Sequence, residues 1–285
     1  MIMMISGAAI LGAIFGSFAG AQVWRLRARQ LVEDKANDEK VSAAELKRLK
    51  PLLASVRRDR SRCLQCQHEL AWYDLLPVVS WLSLGGKCRY CRKAIGWGEF
   101  FIETGVAIVF AVMVALWTDW SVIGYVQLGL WLIAVVLMAI LFAYDARWFL
   151  LPDRIMWPLV AVAAVNAGLE VAQAQDVVAA LWSLVGAILI LSGVYLMLYI
   201  VSRGAWIGFG DVKLGLTLAL LLGQWPLAFI ALFAANLLGT ALVVPAMMTG
   251  KLSRHAKVPF GPLLIFGALI AWWCGPMMVS WLAIY

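Results

Sequence analysis

Apolar residues in this chain fall into long runs separated by short polar breaks. Eight runs stand out, at about 2–24, 100–118, 121–144, 155–173, 177–201, 212–223, 226–249 and 260–283. A helix needs about 20 apolar residues to cross the ~30 Å core of a bilayer. Seven of the runs approach or exceed that length. The sixth, 212–223, is too short to cross alone and predicts a broken or tilted helix. Short alternating segments, the mark of a membrane β-barrel, are absent. The pattern therefore predicts an all-α polytopic membrane protein with about eight transmembrane helices, whose first partner is the lipid bilayer. The opening run lacks a basic n-region and a cleavage site, so it reads as a span.

Composition and charge sharpen this picture. The chain has 285 residues, is 64% hydrophobic and has a mean hydropathy of +0.89, well above the usual range of soluble domains. All 23 lysines and arginines fall in the 25–99, 145–154, 202–213 and 250–259 segments. With eight crossings those segments share one side of the membrane, which the positive-inside rule makes cytoplasmic. Both termini are then expected outside. The net charge of +7 reports topology, and no nucleic-acid motif accompanies it. Three parts are expected: a first span over 1–24, a cytoplasmic segment over 25–99, and a seven-helix membrane domain over 100–285.

Within the cytoplasmic segment, "RLRARQLVEDKANDEKVSAAELKRLKPLLASVRRDRSR" is charged and helix-like. Ser42-Ala43-Ala44-Glu45 reads as a capping box for "AAELKRLK", and Pro51 ends or kinks that helix. The stretch reads as a solvated linker near the lipid headgroups, with partner docking as the alternative. Cys63/Cys66 and Cys88/Cys91 then form two CxxC pairs. Each pair sets two thiolates on one tight turn, and two pairs complete a tetrahedral zinc site. Two disulfides are the competing arrangement, disfavoured in a reducing cytosol. Arg62, Arg89, Arg92 and Lys93 offset the charge of four thiolates. His68 reads as a surface or supporting group, and Cys274, in the last run, as core.

Acidic residues near membrane depth are few: Glu103, Asp145, Asp153, Glu170 and Asp211. Asp145 closes the third run in "LFAYDARWFLLPDR", and Asp211 opens the sixth in "GFGDVKL". Both fall at cytoplasmic helix ends, on different helices, as a pair clamping a substrate from two sides requires. Two close carboxylates share a proton and can serve as general base and general acid in hydrolysing a peptide without metal or covalent intermediate. Gly208 and Gly210 let backbone approach a substrate strand. Asp153 reads first as an N-cap for "RIMWPLV" and second as an alternative partner of Asp211. Ion pairs with Arg147 or Lys213 are the plain alternative for Asp145 and Asp211.

Several motifs together resemble the type IV prepilin peptidases, bacterial membrane aspartyl proteases of the GxGD class. They are "GSFAGAQVWRL" (16–26), "AWYDLLPVVSWLSLGGKCRYC", "YDARWFLLPD", "GFGDVKL" and "VPFGPLL" (258–264). The resemblance implies a multi-pass enzyme of the bacterial cytoplasmic (inner) membrane. It would cut the basic leader from prepilin or pseudopilin precursors, at the cytoplasmic face, in type IV pilus assembly or protein secretion. It implies Asp145 and Asp211 as the catalytic pair, with Asp153, Gly208, Gly210 and Lys213 in support. It further implies N-methylation of the new terminus by S-adenosylmethionine, with Gly86, Lys87 and Glu103 in the matching region. Gly20 stands where the family has Asn, no proline follows Arg25-Leu26, and the 27–62 segment is longer than expected. A transporter or channel with buried acids is the rival class, but it needs no tetracysteine loop and no inverted repeat is evident. A zinc protease of the HExxH kind would need histidines in the spans; His68 and His255 both lie in loops.

Overall fold

The computed structural model describes residues 1–53, 60–252 and 258–282. Among them the structure is helical, with isolated β-bridges at Arg62–Glu69 and Lys87–Ala94 and no strand. Seven helices are long and apolar enough to cross a membrane. They match the predicted runs apart from the short sixth. His255 lies outside the described residues.

The chain forms two compact units, Met1–Ala115 and Leu116–Tyr285. The first holds α1 (Ile2–Ala36), α2 (Ala43–Leu49), α3 (Val79–Ser83) and α4 (Trp97–Leu116). At 1.5 Å per residue α1 is about 52 Å long, so it outruns a ~30 Å bilayer core and carries its charged end beyond it. Gly12 and Gly16 of α1 lie against the Ala107 and Glu103 backbone of α4, 2.8 and 2.7 Å from where a Cβ would stand. Small residues of this kind let membrane helices touch backbone to backbone.

The stretch after residue 24 differs from the expected linker. Helix α2 and the 3-10 turn Lys50–Leu53 fold back on the end of α1. Ala28, Leu31 and Leu49 are buried there, with Trp24, Val41, Leu46, Leu52, Leu53 and Leu64 around them. Arg27 Nε and Nη2 each donate to Glu45 at 3.0 Å, and the Arg27 hydrogen bond holds the Glu45 carboxyl below its usual range. Ser42 Oγ does accept the Glu45 N–H, at 3.3 Å. The Glu45 side chain serves Arg27, so half of the predicted capping box forms. The Leu46, Leu49, Leu53 stripe is the physical reason for the fold-back: it follows helical spacing beneath a heavily charged composition. Residues 54–59 of that stretch lie outside the described residues.

The second unit holds α5 (Val122–Trp148), α6 (Asp153–Gln173), α7 (Val177–Ile188), α8 (Val194–Ser202), α9 (Phe209–Leu222), α10 (Trp225–Met248) and α11 (Gly261–Leu282). The short helix α9 is its centre, packed against α6, α7, α8, α10 and α11. Its 14 residues span about 21 Å. A π-helical turn, Leu189–Gly193, joins α7 to α8 and faces α9. A Cβ on Gly215 of α9 would collide with the Leu191 carbonyl oxygen. Ser192 Oγ donates to the Val212 carbonyl at 3.1 Å in a buried setting. This turn, which sequence periodicity cannot reveal, thus seats α9 one residue past Asp211. Gly215→Ala is expected to cost about 1–3 kcal/mol, because backbone must shift to make room. Thermal unfolding in detergent checks it, and an unchanged midpoint would contradict this packing.

Candidate active site

Asp145 sits in the last turn of α5 and is 5% exposed. Its Oδ2 accepts the Gly261 N–H, at the first residue of α11, at 3.0 Å. A side chain at 261 would stand 2.8 Å from that oxygen, so only glycine admits the carboxylate there. Leu151 packs 3.4 Å from the same Gly261 position and 3.1 Å from the corresponding position of Gly210. Leu151 thereby fastens the α5–α6 corner to the starts of both α9 and α11. Asp211 follows Gly210 directly, and Gly208 is the N-cap of α9. The Asp211 Oδ2 lies 3.7 Å from where a Gly208 Cβ would be. Leu151 thus links Gly261, which receives the Asp145 carboxylate, to Gly210, which precedes Asp211, so two acids from different helices stand at the corner that Leu151 fills.

The supporting residues are arranged differently from the sequence reading. Pro152 is the N-cap of α6 and no side chain caps it, so Asp153 does not act as a cap. Asp153 instead makes an ion pair with Lys213 of α9. The Lys213 ammonium also faces the rings of Phe209 and Trp157, 5.6 and 6.0 Å from their centroids. Lys213 is therefore occupied by Asp153. The anion at Asp153 also suits the first turn of a helix.

In the first unit, Cys63, Cys66, Cys88 and Cys91 bring their sulfurs within 4.8 Å of one another, with none in a disulfide. Cys63 and Cys91 Sγ are 3.9 Å apart. A tetrahedral zinc site with bonds of about 2.3 Å sets its sulfurs about 3.8 Å apart. The two knuckles repeat one backbone pattern. Cys63 N–H donates to His68 O while Gln67 N–H donates to Cys63 O; Cys88 N–H donates to Lys93 O while Arg92 N–H donates to Cys88 O. Gln67 and Arg92, at φ 61° and 58°, close the two turns. Burial pushes the Cys63 thiol up to about 12. Burial acts on Cys88 likewise, but the N–H groups of Cys91 and Tyr90 outweigh it and lower that thiol. Turn N–H groups aimed at sulfur are what a thiolate set needs. His68 stays outside the cluster and stacks on Tyr90, ring centroids 3.7 Å apart.

Beside the knuckles lies a cavity of about 320 Å³, lined among others by Trp24, Trp81, Glu99 and Glu103. Glu103 Oε2 accepts the Val78 N–H at 2.7 Å. Val78 is held at φ 61°, ψ −49°, in a γ-turn closed by Val79 N–H on Pro77 O. That conformation is costly for a β-branched residue. Glu99 Oε1 accepts the Trp24 indole N–H at 2.9 Å. Gly86, at φ +69°, is covered by Trp81, 2.7 Å from where a Cβ would stand. Lys87 is exposed on the bridge to Ala94. Of the three residues implied by resemblance, Glu103 lines this cavity, Gly86 bounds it through Trp81, and Lys87 points to the surface of the knuckle.

Sequence reasoning missed Gly261, Leu151, Ser192 and Val78. "VPFGPLL" carried the signal for Gly261, since a glycine at a helix start opposite a lone acid offers an N–H without a Cβ. The other three leave no local signal.

Residues 10–117 match the family model described as the Bacterial Peptidase A24 N-terminal domain. Residues 132–244 match the model of the Type IV leader peptidase family. A prepilin leader peptidase/N-methyltransferase of Stutzerimonas stutzeri is 26% identical over 277 residues, 93% of this chain and 88% of that one. The corresponding protein of Dichelobacter nodosus is 32% identical over 215 residues, 74% of this chain and 69% of its own. That of Burkholderia pseudomallei (strain 1026b) is 30% identical over 271 residues, 93% and 84%. No solved structure matches the chain.

The knuckles also yield a prediction about charge. Burial acts to raise the Asp74 carboxyl, but Arg89, Tyr90 and the Ala71 N–H outweigh it and hold it below the usual range. A depressed carboxyl stabilises the fold above its unfolded value of about 3.9 and loses that effect as pH falls through the folded value. Asp74→Asn should therefore speed amide exchange in residues 72–91 by a factor that stays constant from pH 8 to pH 5. A factor that shrinks steadily over that range would contradict this reading.

Proposed function

The chain belongs to the type IV leader peptidase family, and from that premise we propose that Asp145 and Asp211 are its catalytic pair. The supporting observation is the shared packing that ties α5 to α9: Gly261 receives Asp145, and Leu151 packs on both Gly261 and Gly210, next to Asp211. One carboxylate takes a proton from water as it attacks the scissile carbonyl; the other carboxyl gives a proton to the departing amine. Gly208, whose missing side chain faces the Asp211 carboxylate at 3.7 Å, leaves room for an extended substrate backbone. By analogy with the relatives' names, the substrate is a prepilin-like precursor with a basic leader ahead of an apolar helix. With α9 taken as the eighth crossing, the one-sided charge supports a pair at the cytoplasmic face of the inner membrane and both termini outside.

The first unit supports two further proposals. The sulfur spacing and the N–H groups fit one structural zinc, held by Cys63, Cys66, Cys88 and Cys91. The cavity beside it fits the methylation half of the relatives' names. S-adenosylmethionine, when bound, supplies a methyl group from a positively charged sulfur. Glu99 and Glu103 carry the charge opposite to that sulfur, and Arg25, Arg48, Arg62, Arg89 and Lys93 of the same lining carry the charge opposite to the cofactor's carboxylate.

Three asparagine variants at matched expression test the pair, with cleavage of a prepilin-like precursor as the readout. Asp145→Asn and Asp211→Asn should each lose about a hundredfold or more, because an amide neither takes nor gives the proton. Asp153→Asn should lose less than about tenfold, since a partly exposed ion pair contributes little. A dead Asp153→Asn beside an active Asp145→Asn would reassign the pair to 153 and 211. Metal analysis should find about one zinc per chain, falling in Cys88→Ser while cleavage persists. A metal-free protein with ordered knuckles would sink the zinc proposal.

A further inference from the structure

The second unit holds a polar groove far from the two aspartates. It encloses about 560 Å³ and is lined by Gln127, Glu170, Gln173, Ser183 and Gln224 among apolar residues. Glu170 lies 17 residues after Asp153 on α6, about 26 Å along the helix. It meets the opposite end of α9 from Asp211. There Gly223, at φ +66°, ends the helix, and Glu170 Oε2 fills the place a Cβ at 223 would take. A carboxylate at the carbonyl end of a helix meets charge of its own sign. Among the described residues, no lysine, arginine or histidine lines the groove to offset it.

A second observation points the same way. Asn166, one turn before Glu170 and fully buried, donates through Nδ2 to Glu170 Oε1 at 3.3 Å. Its own Oδ1 is buried without a hydrogen-bond partner among the described residues. The groove thus gathers a carboxylate, three side-chain amides, a hydroxyl and a helix carbonyl end, while the orphaned Asn166 oxygen lies behind the carboxylate and outside the lining. Hard cations select oxygen donors of this kind. Membrane proteins place cations at the carbonyl ends of interrupted helices for the same reason. The short α9, ending about 21 Å from its start, is such a helix.

We propose that this groove binds a hard metal cation on Glu170, which ties the end of α6 to the α9–α10 corner. The full-length protein, purified in metal-depleted detergent buffer, is unfolded thermally in choline chloride, then in NaCl or CaCl₂ at matched ionic strength. One of the two metal salts should raise the midpoint saturably by about 3 °C or more. Glu170→Gln should abolish that rise, and Cys88→Ser, which alters the other metal site, should keep it. Equal midpoints in all three salts would overturn the proposal, as would the same rise in Glu170→Gln. If Glu170→Gln fails to fold, Gln173→Leu and calcium or sodium titration calorimetry on the wild type decide. Saturable binding weakened at least threefold in Gln173→Leu supports the site, and its absence or indifference overturns it.

Discussion

The buried bond from the Gly261 N–H to the Asp145 carboxylate organises the second unit. A carboxyl at the end of a membrane helix is costly unless something polar receives it. Here the receiver is the start of another helix, 116 residues away in sequence. The bond requires a residue without a side chain at 261, which draws α11 against α5. Leu151 fills the remaining space and reaches Gly210, so α9 begins where Asp145 ends. A change at any of these three contacts would move the two acids relative to each other.

Helix α9 is short because its two ends have separate tasks. Its start presents Asp211, and its end, at Gly223, meets Glu170. The π-turn at Leu189–Gly193 holds it between them, with the Ser192 hydroxyl on the Val212 carbonyl. π-turns occur often beside functional sites because an extra residue in a helix re-aims its neighbours. In the first unit, paired knuckles do the comparable work. Trp81 rests on Gly86 and packs at a tilt against Trp97 and Phe100 at the start of α4, joining the knuckle to the helix that carries Glu103.

Much of this was legible in the sequence, for identifiable reasons. Long apolar runs mark spans because lipid leaves the backbone no other choice. The doubled CxxC marks the sulfur cluster because two tight turns leave little freedom in where the thiolates point. Other features depend on contacts distant in sequence. The Gly261 bond, the Leu151 bridge and the π-turn leave no local pattern. Asp153 reads as a cap because Asp favours that place, yet Pro152 takes the position and Lys213 claims the carboxylate. The segment after residue 24 reads as solvated because its charges outnumber the leucine stripe that buries Leu49.

The convergence of Asp145 and Asp211 is open to a distance probe that makes no reference to activity. Cysteines introduced by Asp145→Cys and Asp211→Cys together, with Cys274→Ser, are exposed in membranes to a short bifunctional thiol reagent. Proteolysis between the two sites then shows whether they are joined. Efficient cross-linking of this pair is expected, and little for Asp211→Cys with Glu170→Cys, since Glu170 lies at the other end of α9. Failure of the first pair alongside success of the second would contradict that convergence.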